Sequence, residues 1–194
     1  MNYSRRELRD LAVAWLALGL AFGLLLSPIS ATRLDVVVST EFLLLFVVSL
    51  VTAGVGFLGH ELAHKAVAVH FGQHAEFRAD YGMLLLAIAG GLAGFLFAAP
   101  GAVHHAGRIT SRQRGLVALA GPVANLAMAA VFFALTPLSA VAEYGVLINV
   151  LLAGFNMLPF GPLDGNTVRK WNLGVYVAVA APSILLALRL LGFV

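Results

Sequence analysis

The chain has 194 residues, of which 61% are hydrophobic and 11% charged. Soluble globular proteins run nearer 45–50% apolar and about 25% charged. The composition therefore excludes an ordinary soluble enzyme or a nucleic-acid-binding protein and predicts an integral membrane protein with no separate soluble domain. The net charge of +3 then bears on topology, and the absence of cysteine leaves only His and carboxylate as ligands for a zinc site.

Apolar runs predict membrane helices at 11–27, 37–64, 116–136, 143–159 and 173–193. The first follows Arg5-Arg6-Glu7-Leu8-Arg9-Asp10 and precedes small residues at 27–31, the layout of a cleavable signal peptide. A retained span is the preferred reading, because the rest of the chain is membrane-embedded and needs no export. The arginine cluster anchors topology at an anionic surface.

His60-Glu61-Leu62-Ala63-His64 lies near the end of the second run. Residues four apart share a helix face, so the two imidazoles can grip one zinc ion. Glu61 is then close enough to take a proton from the water that the metal activates. The plainer alternative is a polar helix end wetted by water. It explains less, because an unpaired His-Glu-His cluster in an apolar helix is costly. His70 and His74 also stand four apart, but in a polar stretch with Gly72 between them, and read as a solvated loop.

The stretch from Met83 to Pro100 is apolar but ambiguous. If it crossed the membrane, the best candidate third ligand, Asp164, would emerge opposite the His pair. If it dips in and returns, Asp164 arrives on the correct side. Positive-inside counting favours the dip. With Arg5, Arg6, Arg9, Lys65, Arg78, Arg108, Arg112, Arg114, Arg169 and Lys170 inside, 10 of 12 basic residues share one side, leaving Arg33 outside and Arg189 near the end of the last span. Gly90-Gly91 and Gly94 are expected to let the backbone turn. His104-His105, after Pro100-Gly101, are expected on an edge strand.

The middle run carries Ala120-Gly121-Pro122-Val123-Ala124-Asn125. Its small residues permit close helix packing, and Asn125 reads as packing or orienting the core. Asn149 and Asn156 share a face of the next run. Asn149 reads as polar glue between helices and Asn156 as an active-site residue. Beyond it, Pro159 and Pro162 are expected to unwind the chain, so that Asp164 projects from an extended or turning segment ahead of a permissive Gly165. Alone, Pro-Leu-Asp-Gly is an ordinary turn. Paired with the His motif, it reads as a metal ligand. Glu76 is a weaker alternative.

On these motifs the chain resembles the site-2 protease family of intramembrane zinc metalloproteases. The matching pieces are His60-Glu61-x-x-His64, Ala120-Gly121-Pro122-Val123-Ala124-Asn125, and Asn156-x-x-Pro159 leading to Leu163-Asp164-Gly165, and the likeness covers about residues 40 to 170. The resemblance implies one zinc per chain held by His60, His64 and Asp164, Glu61 as general base, and Asn156 holding substrate or the oxyanion. It also implies a three-helix catalytic core, here 37–64, 116–136 and 143–159.

The sequence thus predicts an all-α polytopic membrane protein with about five to six transmembrane helices. A re-entrant or β-like segment lies between the second span and the middle helix. The chain is expected to form a single membrane-embedded metalloprotease domain over 1–194, with a catalytic core of about 37–171 and no PDZ or CBS domain. The expected reaction is zinc-dependent hydrolysis of peptide bonds in single-span or other transmembrane substrates. The N-terminus and active-site side are expected to be cytoplasmic, with the chain in the cell membrane and no nucleic-acid partner. The alternative is a metal-binding membrane protein without protease activity, a transporter or scaffold. Ionisable residues gathered near one side disfavour a transporter, and the presence of Glu61 disfavours a scaffold.

Overall fold

Ser4 accepts from the Glu7 amide and so opens α1 (Arg5–Leu26), the first helix of the computed structural model, which describes residues 1–27, 39–95 and 100–193. Two units make up the chain: Asn2–Leu58 with Glu76–His104, and Gly59–Ala75 with His105–Val194.

In the first unit, α1 is followed by α2 (Thr40–Ser49), a π-helical turn (Leu50–Gly54) and the start of α3 (Val55–His70). β1 (His74–Ala79), α4 (Tyr81–Leu92) and β2 (Gly101–Ala106) follow, and the two strands pair as one sheet. Leu11, Ala14 and Leu18 recur at helical spacing along α1 and bury against Phe57, Phe77 and Leu84. The π turn exposes the Leu50 carbonyl to Trp15, whose Nε1 donates to it at 2.9 Å, and Gly54 has no side chain where the indole lies.

Two carboxylates of α1 are buried, Glu7 and Asp10, and both are paired. Glu7 accepts from the Phe77 amide at 3.0 Å. Asp10 accepts from the Tyr81 hydroxyl at 2.8 Å and the Ala79 amide at 3.4 Å. Residues 77 and 79 point to the same edge of β1, whereas the Asp80 amide turns to the Pro100 carbonyl at 3.0 Å. Carboxylates from α1 therefore occupy the edge of β1 that faces away from β2.

Within the ambiguous apolar stretch α4 covers the part up to Leu92, and β2 begins just beyond its end, at Gly101. Gly90 and Gly91, expected to turn the chain, lie inside α4. A Cβ at Gly91 would collide with the Ala21 backbone, so this glycine serves close packing against α1. Beyond the helix, Gly94 takes φ at +81°. Residues 96–99 of the expected segment, and 28–31 of the possible cleavage site, lie outside the described residues.

The second unit holds the rest of α3 with α5 (Ser111–Leu135), α6 (Ala140–Asn156), α7 (Asp164–Trp171) and α8 (Leu173–Leu190). Thr110 and Gln113 form a reciprocal capping box at the start of α5. Ala118, Met157, Val168 and Ala180 make a core joining α5, α7 and α8, with Trp171 and Tyr176 at its margin. Gly115 lacks a side chain where the Trp171 ring packs.

Among the described residues, four helical stretches are long and apolar enough to cross a membrane: Arg5–Leu26, Thr40–His70, Ser111–Leu135 and Leu173–Leu190. This marks a mostly helical membrane protein. α6 has 17 residues and α4 has 12. At about 1.5 Å rise per residue α6 reaches about 25 Å, at the lower limit for a span, whereas α4 reaches about 18 Å, well short of the roughly 30 Å hydrocarbon core. The expected span at 143–159 ends earlier, at Asn156, because the Pro159 region stops the helix. The second span runs on to His70, beyond the predicted end at 64, so the His motif sits inside the helix with more than a turn beyond it.

Candidate metal centre

His60 and His64 stand one turn apart on α3, their rings edge-to-face with centroids 4.6 Å apart. Both are buried. Asp164 reaches them as the first residue of α7, preceded by the extended Leu163. The expected extended or turning segment ends just before it: Leu163 is extended, and Asp164 begins a helix. There its charge also suits the helix dipole. Gly165 is needed for a different reason than conformational freedom. A Cβ there would run into the carbonyls of Met157 and Leu158, so its absence lets α7 start directly against the end of α6.

The three donors form a nearly equilateral triangle. His60 Nε2 and His64 Nε2 are 2.9 Å apart, and Asp164 Oδ2 lies 3.2 Å from the first and 3.3 Å from the second. Ligands held about 2.0–2.1 Å from a tetrahedral zinc lie about 3.3 Å from one another. The residues can therefore hold a metal ion of that size.

Hydrogen bonding behind the imidazoles supports the same fit. His64 Nδ1 is 2.7 Å from the Val117 carbonyl oxygen, and His60 Nδ1 is 2.6 Å from Asn125 Oδ1. Both partners are acceptors, so each Nδ1 carries the proton and each Nε2 turns a lone pair toward the triangle. Two lone pairs and a carboxylate at about 3 Å repel unless positive charge lies among them. A proton can neutralise part of the cluster, whereas a divalent cation serves all three donors at once.

One face of α5 builds the opposing wall. Val117, Gly121 and Asn125 are spaced four apart and share a face. Val117 and Asn125 take the two imidazoles, and Gly121 lies between them. A Cβ at Gly121 would meet Nε2 of both His60 and His64. The missing side chain leaves space where an ion can enter.

Glu61, beside His60, is buried, and its Oε2 has no hydrogen-bond partner among the described residues. Such an atom is costly to fold around unless it serves chemistry or receives a water.

Asn125 was expected to pack or orient the core. The structure gives it a specific task, orienting His60, and ties it onward: Asn125 Nδ2 donates to Asn149 Oδ1 at 3.0 Å, and Asn149 Nδ2 donates to the Gly145 carbonyl at 2.9 Å. Asn149 thus links α5 to α6, as a residue joining helices should. The signal for Asn125 was its fourfold spacing from Gly121, matching the His pair. Asn156 is the last residue of α6, and its Nδ2 donates to the Leu152 carbonyl at 2.9 Å.

The remaining polar residues fall elsewhere. His70 and His74 are exposed on either side of a turn at Gly72, with φ at +75°. Glu76 pairs with Arg78 at 2.6 Å and with Ser4. His104 and His105 lie on β2.

No protein-family model matches the chain, and no solved structure does. Among curated proteins, it is 38% identical over 192 residues to "Putative zinc metalloprotease MJ0611" of Methanocaldococcus jannaschii, covering 94% of this chain and 93% of the relative. It is 31% identical over 144 residues to "Putative zinc metalloprotease YwhC" of Bacillus subtilis strain 168, covering 59% of this chain and 64% of that protein.

Proposed function

We propose that this chain, which belongs to the family of proteins named "putative zinc metalloprotease", hydrolyses peptide bonds of transmembrane substrates within or near the bilayer. The observation that carries the reading is the partnerless Oε2 of Glu61, buried one residue from a triangle of three metal-type donors. The site-2 type of intramembrane protease is the finer assignment. It rests on the three sequence motifs and on four apolar helices of spanning length.

His60, His64 and Asp164 would hold one zinc. When bound, the ion supplies Lewis acidity, making water nucleophilic at neutral pH and polarising the scissile carbonyl. Glu61 accepts the proton that the attacking water loses and returns it to the leaving amine. Asn156 commits one amide hydrogen to its own helix, and the second is the donor we assign to the developing oxyanion. A scaffold has no use for a buried, partnerless base, which favours the enzyme over the non-catalytic alternative.

A membrane helix must unwind before its backbone can be cut. The sheet offers a place for an extended substrate. Because Glu7 and Asp10 occupy the outer edge of β1, strand addition is assigned to β2, Gly101–Ala106. Alanine scanning of β2 tests this: unchanged cleavage of every substrate would remove the strand from the account. The whole reading is tested by reconstituting purified, zinc-loaded protein with a panel of single-span substrates and sequencing the products.

A further inference from the structure

We infer that Asn149 is a positioning residue that sets metal affinity by fixing, through Asn125, which nitrogen of His60 bears its proton. The inference rests on the metal reading above. It starts from a group whose role is not in doubt: a backbone carbonyl can only accept. The Gly145 carbonyl receives Asn149 Nδ2 at 2.9 Å, so Asn149 must present Oδ1 to Asn125. That oxygen also only accepts, so Asn125 offers Nδ2 at 3.0 Å and turns its own Oδ1 to His60 at 2.6 Å. The proton of His60 is therefore on Nδ1, and Nε2 is bare toward the other donors.

An asparagine amide can ordinarily be flipped at little cost, its oxygen and nitrogen exchanging places. Here a flip of either amide sets acceptor against acceptor or donor against donor. Both side chains are fully buried, so no water stands ready to repair the mismatch. The two imidazoles differ in this respect. His64 is fixed directly by the main chain at Val117, whereas His60 depends on two side chains in series. Removing the amide at 149 frees Asn125 to rotate. Its NH2 can then face His60 Nδ1, moving the proton to Nε2, where it competes with the metal.

The test uses the full chain in detergent micelles, with zinc affinity read by competition against a chelator and cobalt absorption as the spectroscopic signature. Asn149→Leu should weaken zinc about 10–100-fold, the usual effect of losing a partner behind a metal-bound histidine. Asn125→Asp presents an acceptor to His60 whichever way it turns, but it also sets a carboxylate oxygen against Asn149 Oδ1, so it serves only as the background for the second substitution. In the Asn125→Asp background, Asn149→Leu removes that mismatch and should not weaken zinc. A purely packing role for Asn149 would weaken both backgrounds alike and overturn the inference, as would unchanged affinity in Asn149→Leu alone. If Asn149→Leu does not fold, Asn149→Ala removes the same amide without added bulk and serves the same comparison. Failure of the unaltered protein to bind zinc or cobalt would instead overturn the metal reading itself.

Discussion

Gly121 on α5 lies so close to His64 on α3 that a Cβ on the glycine would strike the imidazole Nε2, and it would strike that of His60 as well. Close helix packing and the donor cluster are thus one feature. The glycine is placed where any side chain would occupy the ion's space.

Gly121→Ala should therefore abolish tight zinc binding while leaving the helices formed. The expected loss exceeds about 100-fold in affinity, more than removal of a residue behind the ligands, because the methyl group competes with the ion itself. Metal analysis after chelator challenge, with circular dichroism on the same sample, checks this. Stoichiometric, tight zinc in the variant would show that α5 does not wall the centre in this way.

Asp164→Ala should lose or loosen zinc, since two imidazoles alone leave the triangle open. The carboxylate sits 3.2 Å and 3.3 Å from the two Nε2 atoms, and no other His, Cys, Asp or Glu joins this cluster among the described residues. Retention of tight zinc would mean that the third ligand is elsewhere.

Topology gives an independent check. α4 spans only about 18 Å, so it should dip into the membrane and return, leaving the loops around 65–82, 101–115 and 161–172 on the cytoplasmic side with the N-terminus. Single cysteines can be placed freely, since the chain has none. With a membrane-impermeant thiol reagent, a cysteine near Ser139 should react in intact cells. Cysteines near Arg78, Arg112 and Lys170 should react only after lysis. Labelling near Arg112 in intact cells would mean that the segment before it crosses the membrane.

The residues brought together at the candidate centre were legible because each carries a chemical type out of place in an apolar chain. His60, Glu61 and His64 announce themselves by spacing, and Asp164 by its Pro-flanked position. The supporting shell was harder to read. Asn125 looks like any polar residue in a membrane helix until its distance from Gly121 is set beside that of the His pair. The helix ends were misplaced for local reasons: hydropathy cannot see that α3 continues through Lys65 to His70, or that α6 stops at Asn156. Gly90, Gly91 and Gly165, which in sequence suggest flexibility, are points of contact. A glycine's two uses look the same in sequence, and only the neighbour across the gap separates them.

The most direct measurement compares unaltered protein with Glu61→Gln, each loaded with zinc and mixed with a single-span substrate, with metal content and cleavage read on the same samples. The glutamine keeps the size of the side chain and removes its basicity, while His60, His64 and Asp164 are untouched. The account predicts equal zinc in both and cleavage by the unaltered protein only, lowered by at least about 100-fold in the variant, the scale of a lost general base. Equal zinc with near-equal cleavage would contradict the role given to Glu61 and, with it, the proposed chemistry of the centre.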